Sequence, residues 1–198
     1  MVLGYKESVA RTRSSSQLVQ AALELISESG LDRLTLSQVA ERAGVSRATA
    51  YREFGDKDGL LGAIAEQEIG AMIAATLAAF DPEADPSAQT AAVVTTTLRY
   101  LRNHRAFVYI RDHEPHWLLD AGMPVGNDRL NLVRTVAAMV AQAIPDSDQL
   151  VLTPVAAAEV VVRTVLSHTL IEDSALTDEE VAEVVSRAIT RPPGLPGG

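Results

Sequence analysis

Cysteine is absent from all 198 residues, which excludes disulfides, thiolate metal sites and thiol nucleophiles. A reducing compartment is thereby permitted, not required. Aromatic residues make up only 4% of the chain, with a single Trp, so a core must be built mainly from aliphatic side chains. Sustained period-two alternation between turn signals is missing, and with it any expectation of a sheet. No run approaches the ~18 apolar residues needed to cross a bilayer, since Glu159 and Arg163 interrupt the best candidate. The N-terminus has no apolar stretch of the signal-peptide kind. A cytoplasmic protein with no membrane partner is the resulting expectation.

What is present is an ordinary globular balance, 47% apolar and 22% charged, long enough for one domain or a small domain plus a larger one. The net charge of −9 is unevenly spread. Residues 1–60 carry eight Lys/Arg and eight Asp/Glu, whereas residues 61–198 carry nine and eighteen. An acidic remainder would repel phosphate and turn the neutral N-terminal part toward a polyanion. It would equally serve solubility, and charge alone does not separate the two.

Helical spacing dominates the pattern, and many valines sit in Ala/Glu-rich contexts where packing overrides their mild β preference. A first helix is expected from about Ser16 to Ser29, with Leu18, Ala22, Leu25 and Ile26 on one stripe and Gly30 closing it. Asp56 caps a long helix from about Lys57 to Phe80, and a turn-rich linker over residues 81–86 follows. Pro86 suits the first position of a helix reaching about Arg102, and a shorter helix spans Arg105 to His113. Pro115 opens a short segment, residues 121–126 form a loop, and Asp128 to Ile144 is helical. Thr153-Pro154 opens a helix to about Ile171, and Thr177 with Glu180 caps a last one carrying Val181, Val184, Val185 and Ala188. The expected fold is all-α with about nine helices. Its divisions are a flexible basic arm (1–14), a three-helix head (15–60), a helical body (61–191) and a flexible tail (192–198).

The most informative stretch is TLSQVAERAGVSRATAYREFGDKDGLL, residues 35–61. Thr35 and Gln38 form a capping-box pattern, Val39, Ala40 and Ala43 give a small apolar face, and Gly44 suits a positive φ past the helix end. Ser46 caps a second helix that carries Arg47, Thr49, Tyr51 and Arg52. Two short helices joined by a Gly turn are helix-turn-helix geometry, in which the second helix enters the DNA major groove. Arg47 can pair bidentately with guanine, and Thr49 can bond a base or touch a thymine methyl. Arg52 can reach a base or a phosphate, or form only a solvated pair with Glu53. Val45, Ala50 and Phe54 are read as core, and Tyr51 as partly core or exposed.

This stretch resembles the TetR-type transcriptional regulators. The resemblance lies in Gly44-Val45-Ser46, Thr49, Tyr51, Phe54, Lys57 and Leu60-Leu61, and extends back to Ala21-Ala22, Leu25, Gly30 and Thr35. It covers roughly residues 15–62; beyond these the family shares a helical plan without matching residues. It implies a DNA-binding set of Thr35, Ser46, Arg47, Ala48, Thr49, Tyr51, Arg52 and Lys57, with Tyr51 and Lys57 at phosphates. Two positions depart from the pattern: Glu53 stands where His is frequent, and Ala50 where a larger aliphatic is common. Near a phosphate Glu53 would be repulsive unless Arg52 or a cytosine amino group compensates. The basic arm, with Lys6, Arg11 and Arg13, is either a minor-groove contact or a plain leader.

For the body the resemblance implies an effector cavity and a homodimer through the last two helices, giving a ligand-responsive repressor of a palindromic operator. The apolar composition suggests a small lipophilic effector. Tyr100, His104, Phe107, Trp117, Met139 and His168 are the candidate contacts, with core packing the competing role for each. The helix from Thr153 to Ile171 is apolar on more than one side, one for the subunit core and another for a second subunit. No cofactor is expected. Asp112-His113-Glu114-Pro115-His116 lacks the spacing of a zinc motif, and Pro115 breaks the helix that would align its ligands. The competing functions are an activator or corepressor-dependent regulator of the same fold, and a helical enzyme built on that cluster.

Overall fold

The computed structural model describes residues 13–79, 81, 83–122, 132–142, 144, 148–171 and 173–191. Residues 1–12 of the expected arm, most of the 121–126 loop and the 192–198 tail lie outside them. The described residues fold as ten helices and no strand, one helix more than expected. The addition is the short segment opened by Pro115, which forms two turns of helix. The chain divides into two compact units, Met1–Glu68 and Ile69–Gly198.

The first unit contains α1 (Arg13–Ser29), α2 (Leu36–Arg42), α3 (Arg47–Phe54) and the first turns of α4 (Lys57–Ala78). α1 starts at Arg13, before the expected Ser16, and Ser15 is already buried in it. Leu18, Val19, Ala22 and Ile26 of α1, Val39 and Ala40 of α2, Ala50 of α3 and Leu60 of α4 are almost fully enclosed. Truncating a buried Leu such as Leu18 to Ala should cost about 2–5 kcal/mol. Val45 and Phe54, expected in the core, are only half-buried; the small Ala50 lets α3 approach closely and takes the interior place itself.

At Gly59, in the first turn of α4, the backbone leaves no room for a side chain. A Cβ on Gly59 would lie 2.0 Å from the carbonyl oxygen of Phe54. Asp56 Oδ1 accepts from the Gly59 amide at 2.8 Å, which is the N-terminal cap expected for this helix. By length and composition α4 is apolar enough to cross a membrane, a property the sequence reading assigned to no segment. Glu66 and Glu68 interrupt it midway, Leu60 and Ile64 are buried before them, and Ile69 and Met72 after them join an apolar cluster.

The second unit holds α5 (Pro86–Asn103), α6 (Arg105–His113), α7 (Pro115–Gly122), α8 (Leu132–Ala141), α9 (Pro154–Leu170) and α10 (Asp178–Ile189). Asp85 caps α5 through the amides of Ser87 and Ala88, with Pro86 at the first position. Thr177 and Glu180 close a reciprocal capping box on α10. Val94 and Leu98 of α5 meet Ala157, Val161 and Val165 of α9 and Val181, Val185 and Ile189 of α10 in one cluster. Ala158 and Val162 of α9 join Val136 and Ala137 of α8 in a second. Both apolar sides of α9 are therefore occupied within the subunit. What α9 leaves outside is a mixed strip holding Val155, Glu159, Arg163 and Ser167, with Ile171 just past the helix end.

Candidate nucleic-acid interface

The local sequence places α3 through its caps. Thr35 Oγ1 accepts from the Gln38 amide at 3.2 Å while Gln38 Oε1 accepts from the Thr35 amide at 3.1 Å, so two orphan donors at the start of α2 are satisfied reciprocally. Gly44 then takes φ +67°, a backbone conformation costly for any residue with a Cβ, and turns the chain toward Ser46. Ser46 Oγ accepts from the Thr49 amide at 3.1 Å and lies 2.9 Å from the Thr49 hydroxyl. The hydroxyls of Thr35 and Ser46 thus shape the helix starts.

At 100° per residue, Arg47, Tyr51, Ala48 and Arg52 share one half of α3, and all four are exposed. Tyr51 keeps 52% of its surface, so it is not a core residue. Neither Arg47 nor Arg52 is drawn into an ion pair among the described residues. Ala50 is fully buried on the other half, and Thr49, Glu53 and Phe54 are half-buried there. Glu53 therefore points away from the half that carries the two guanidinium groups.

Lys57 and Arg42 make long-range contacts that local pattern could not supply. The Lys57 ammonium donates to the Leu31 carbonyl at 2.6 Å, capping the chain where it leaves α1 with a cation. The Arg42 guanidinium forks onto Glu28 at 3.0 and 2.8 Å and lies 3.6 Å from Glu24. Its hydrogen bond to the Glu28 carboxylate holds the Arg42 pKa above its ordinary value.

In the body, Tyr100, His104 and Phe107 gather at the α5–α6 corner. The Tyr100 and His104 rings are 5.8 Å apart, and His104 Nδ1 accepts from the Phe107 amide at 3.1 Å. Trp117, Met139 and His168 sit on α7, α8 and α9, Met139 exposed and His168 half-buried with its Nε2 enclosed. His168 Nε2 lies 3.2 Å from Asp178 Oδ1, off line for a hydrogen bond, while Arg102 grips the same carboxylate through two nitrogens at 2.8–3.1 Å. His168 thus belongs to a polar junction of α5, α9 and α10. An open groove of about 610 Å³ runs between α5 and α10, lined by Ala91, Ala92, Thr95, Arg99 and Glu183, and none of the six candidate effector residues borders it.

The Asp112–His116 cluster is dispersed by its own contacts. A hydrogen bond from Arg111 holds the Asp112 carboxyl below its ordinary range. His113 stacks on Tyr109 at 4.4 Å, and Pro115 starts a separate helix carrying His116. Among the described residues no three His, Cys, Asp or Glu side chains are grouped to hold a metal ion.

Comparison with known proteins agrees with the helix-turn-helix. Residues 18–64 match the model of the bacterial regulatory proteins, tetR family. An uncharacterized HTH-type transcriptional regulator, YvdT of Bacillus subtilis, is 44% identical over 50 residues, 25% of this chain and 26% of that protein. The HTH-type transcriptional regulator BetI of Burkholderia thailandensis is 44% identical over 61 residues, 31% of each chain. These alignments span less than a third of either regulator. The fold likeness reaches further. The TetR family repressor AlkX from Dietzia superposes with a TM-score of 0.65 at 19% identity, over 87% of this chain and 93% of that one. The fatty acid degradation regulator FadR from Bacillus halodurans gives 0.62 at 14% identity, over 89% and 94%. The proteins matched in sequence are transcriptional regulators, and residues 18–64 carry a helix-turn-helix domain of the tetR family within an all-helical fold.

Proposed function

We propose that the chain is a DNA-binding transcriptional regulator whose α3 reads the major groove as one half of a homodimer. The observation that carries this reading is the outward half of α3, where Arg47, Ala48, Tyr51 and Arg52 stand exposed while Glu53 turns inward. Arg47 pairs with a guanine, Arg52 takes a base edge or a phosphate, and Tyr51 and Lys57 take phosphates. Thr35, Ser46 and Thr49 support these contacts from the helix starts, where amides favour phosphate.

Dimerisation is supported by large apolar side chains left in solvent on and beside the last two helices. Val155, Ile171 and Val184 are each about 60% exposed, and Leu176 nearly half. Two such copies would present their α3 helices about 34–36 Å apart, matching a palindromic operator. Repression released by a small lipophilic effector fits the aliphatic body, with Tyr100, His104 and Phe107 as the grouped candidate contacts. Such an effector acts only through different affinities for two states of the regulator. The protein would work in the cytoplasm, where its DNA lies.

The test is selection of duplex DNA from a random-sequence pool by the full chain. Enrichment of a palindrome with half-sites one helical turn apart is the expected result. Recovery of DNA with no common sequence would refute the reading.

A further inference from the structure

We infer that Arg42, held by Glu28 and Glu24, is a positioning residue for the recognition helix and not a phosphate contact. The inference rests on the DNA-binding reading above. α2 is seven residues long, too short to persist alone, and buries Leu36, Val39 and Ala40. α3 buries only Ala50, so its direction depends on where α2 ends. Arg42 is the last residue of α2, directly before the Ala43-Gly44-Val45 turn that aims α3.

Glu24 and Glu28 are four apart on α1, a like-charge pair that by itself destabilises a helix. Arg42 lies against both, so their repulsion becomes a three-member network with a bidentate fork at its centre. Exposed single ion pairs contribute little, but a forked geometry within a network is the exception. The cation also stands in the last turn of α2, where it complements the helix dipole. An arginine in a DNA-binding head would ordinarily be counted as a phosphate contact. Here two carboxylates already satisfy it.

The two roles give opposite signs for Glu28. If Arg42 positions α3, removing the Glu28 charge loosens α3 and weakens DNA binding. If Arg42 were held back from a phosphate, removing that charge would free it and tighten binding. The full-length chain, Glu28→Gln, Arg42→Met and the double variant are compared in two measurements. One is hydrogen–deuterium exchange of amides 47–54 without DNA. The other is affinity, at two salt concentrations, for duplexes that the unaltered chain recovers from a random pool.

Each single variant should raise exchange in α3 and weaken DNA binding several-fold. The double should be no worse than either single, and the salt slope should stay unchanged. Tighter binding by Glu28→Gln, a slope flattened by about one in Arg42→Met, or unaltered exchange overturns the inference. Should the unaltered chain recover no preferred sequence, the DNA-binding reading fails, while the exchange measurement still decides the role of Arg42.

Discussion

The ammonium of Lys57 and the carbonyl oxygen of Leu31 are 2.6 Å apart, which ties the first residue of α4 to the chain leaving α1. One N–H of Lys57 is spent on this bond. Replacing Lys57 by Met should lower stability by about 1.5–3 kcal/mol, the range for a hydrogen bond to a charged group, measured by urea unfolding. Binding should weaken alike for all duplexes, and its salt slope should flatten by about one if Lys57 also meets a phosphate. The urea and salt titrations separate the two losses.

Arg47 and Glu53 stand on opposite halves of α3. Arg47→Ala should relax the preference for one base pair of the operator, about 1–3 kcal/mol of discrimination. Glu53→Gln should leave the profile of base substitutions unchanged. A shifted profile in Glu53→Gln would mean that α3 docks with a different face.

Gly59 is fixed by a backbone neighbour, not by a flexible side chain. Gly59→Ala places a Cβ 2.0 Å from the Phe54 carbonyl oxygen, so the α3–α4 junction has to shift. Overpacking of this kind should cost about 3 kcal/mol, seen as a lower urea midpoint, with weaker DNA binding in the fraction still folded. A variant as stable as the original would place the two backbones further apart than described.

Asp178 answers Arg102 from α5 and His168 from α9 at once. Asp178→Asn leaves a half-buried guanidinium without its carboxylate and should destabilise the chain by about 2 kcal/mol. That lies below the cost of breaking a fully buried pair, because Arg102 keeps 33% of its surface. Arg102→Met with Asp178→Asn should recover part of the loss, as measured by the same unfolding midpoint.

Val184 is 58% exposed on α10, and Val155 62% exposed on α9. Val184→Asp should convert the proposed dimer to a monomer in sedimentation without lowering helicity, because neither side chain belongs to a described apolar cluster. Retention of the dimer would move the interface elsewhere on the body.

Punctuation was the most legible part of this sequence. Thr35 with Gln38, Pro86, Thr153-Pro154 and Thr177 with Glu180 each mark a helix start that the structure has, because caps act within four residues. Contacts spanning longer distances left no periodic trace. Arg42 reaches Glu28 across 14 residues and Lys57 reaches Leu31 across 26, so neither partner could be paired by spacing. Gly59 carries a subtler signal: a glycine inside the first turn of a helix costs about 1 kcal/mol against Ala, which points to a close neighbour, here the Phe54 carbonyl. Glu53 shows the limit of reading a motif position by position: 100° per residue sets it on the half of α3 opposite the two arginines.

α9 supplies Ala157, Val161 and Val165 to one apolar cluster and Ala158 and Val162 to the other. Loosening either cluster strips this helix of half its cover, so neither half of the body can melt while the other stays intact. Its amides should be the last in the body to exchange with solvent. A guest molecule wedged beside α8 would be felt at α5 and α10 without touching them, because one shared wall separates the two rooms.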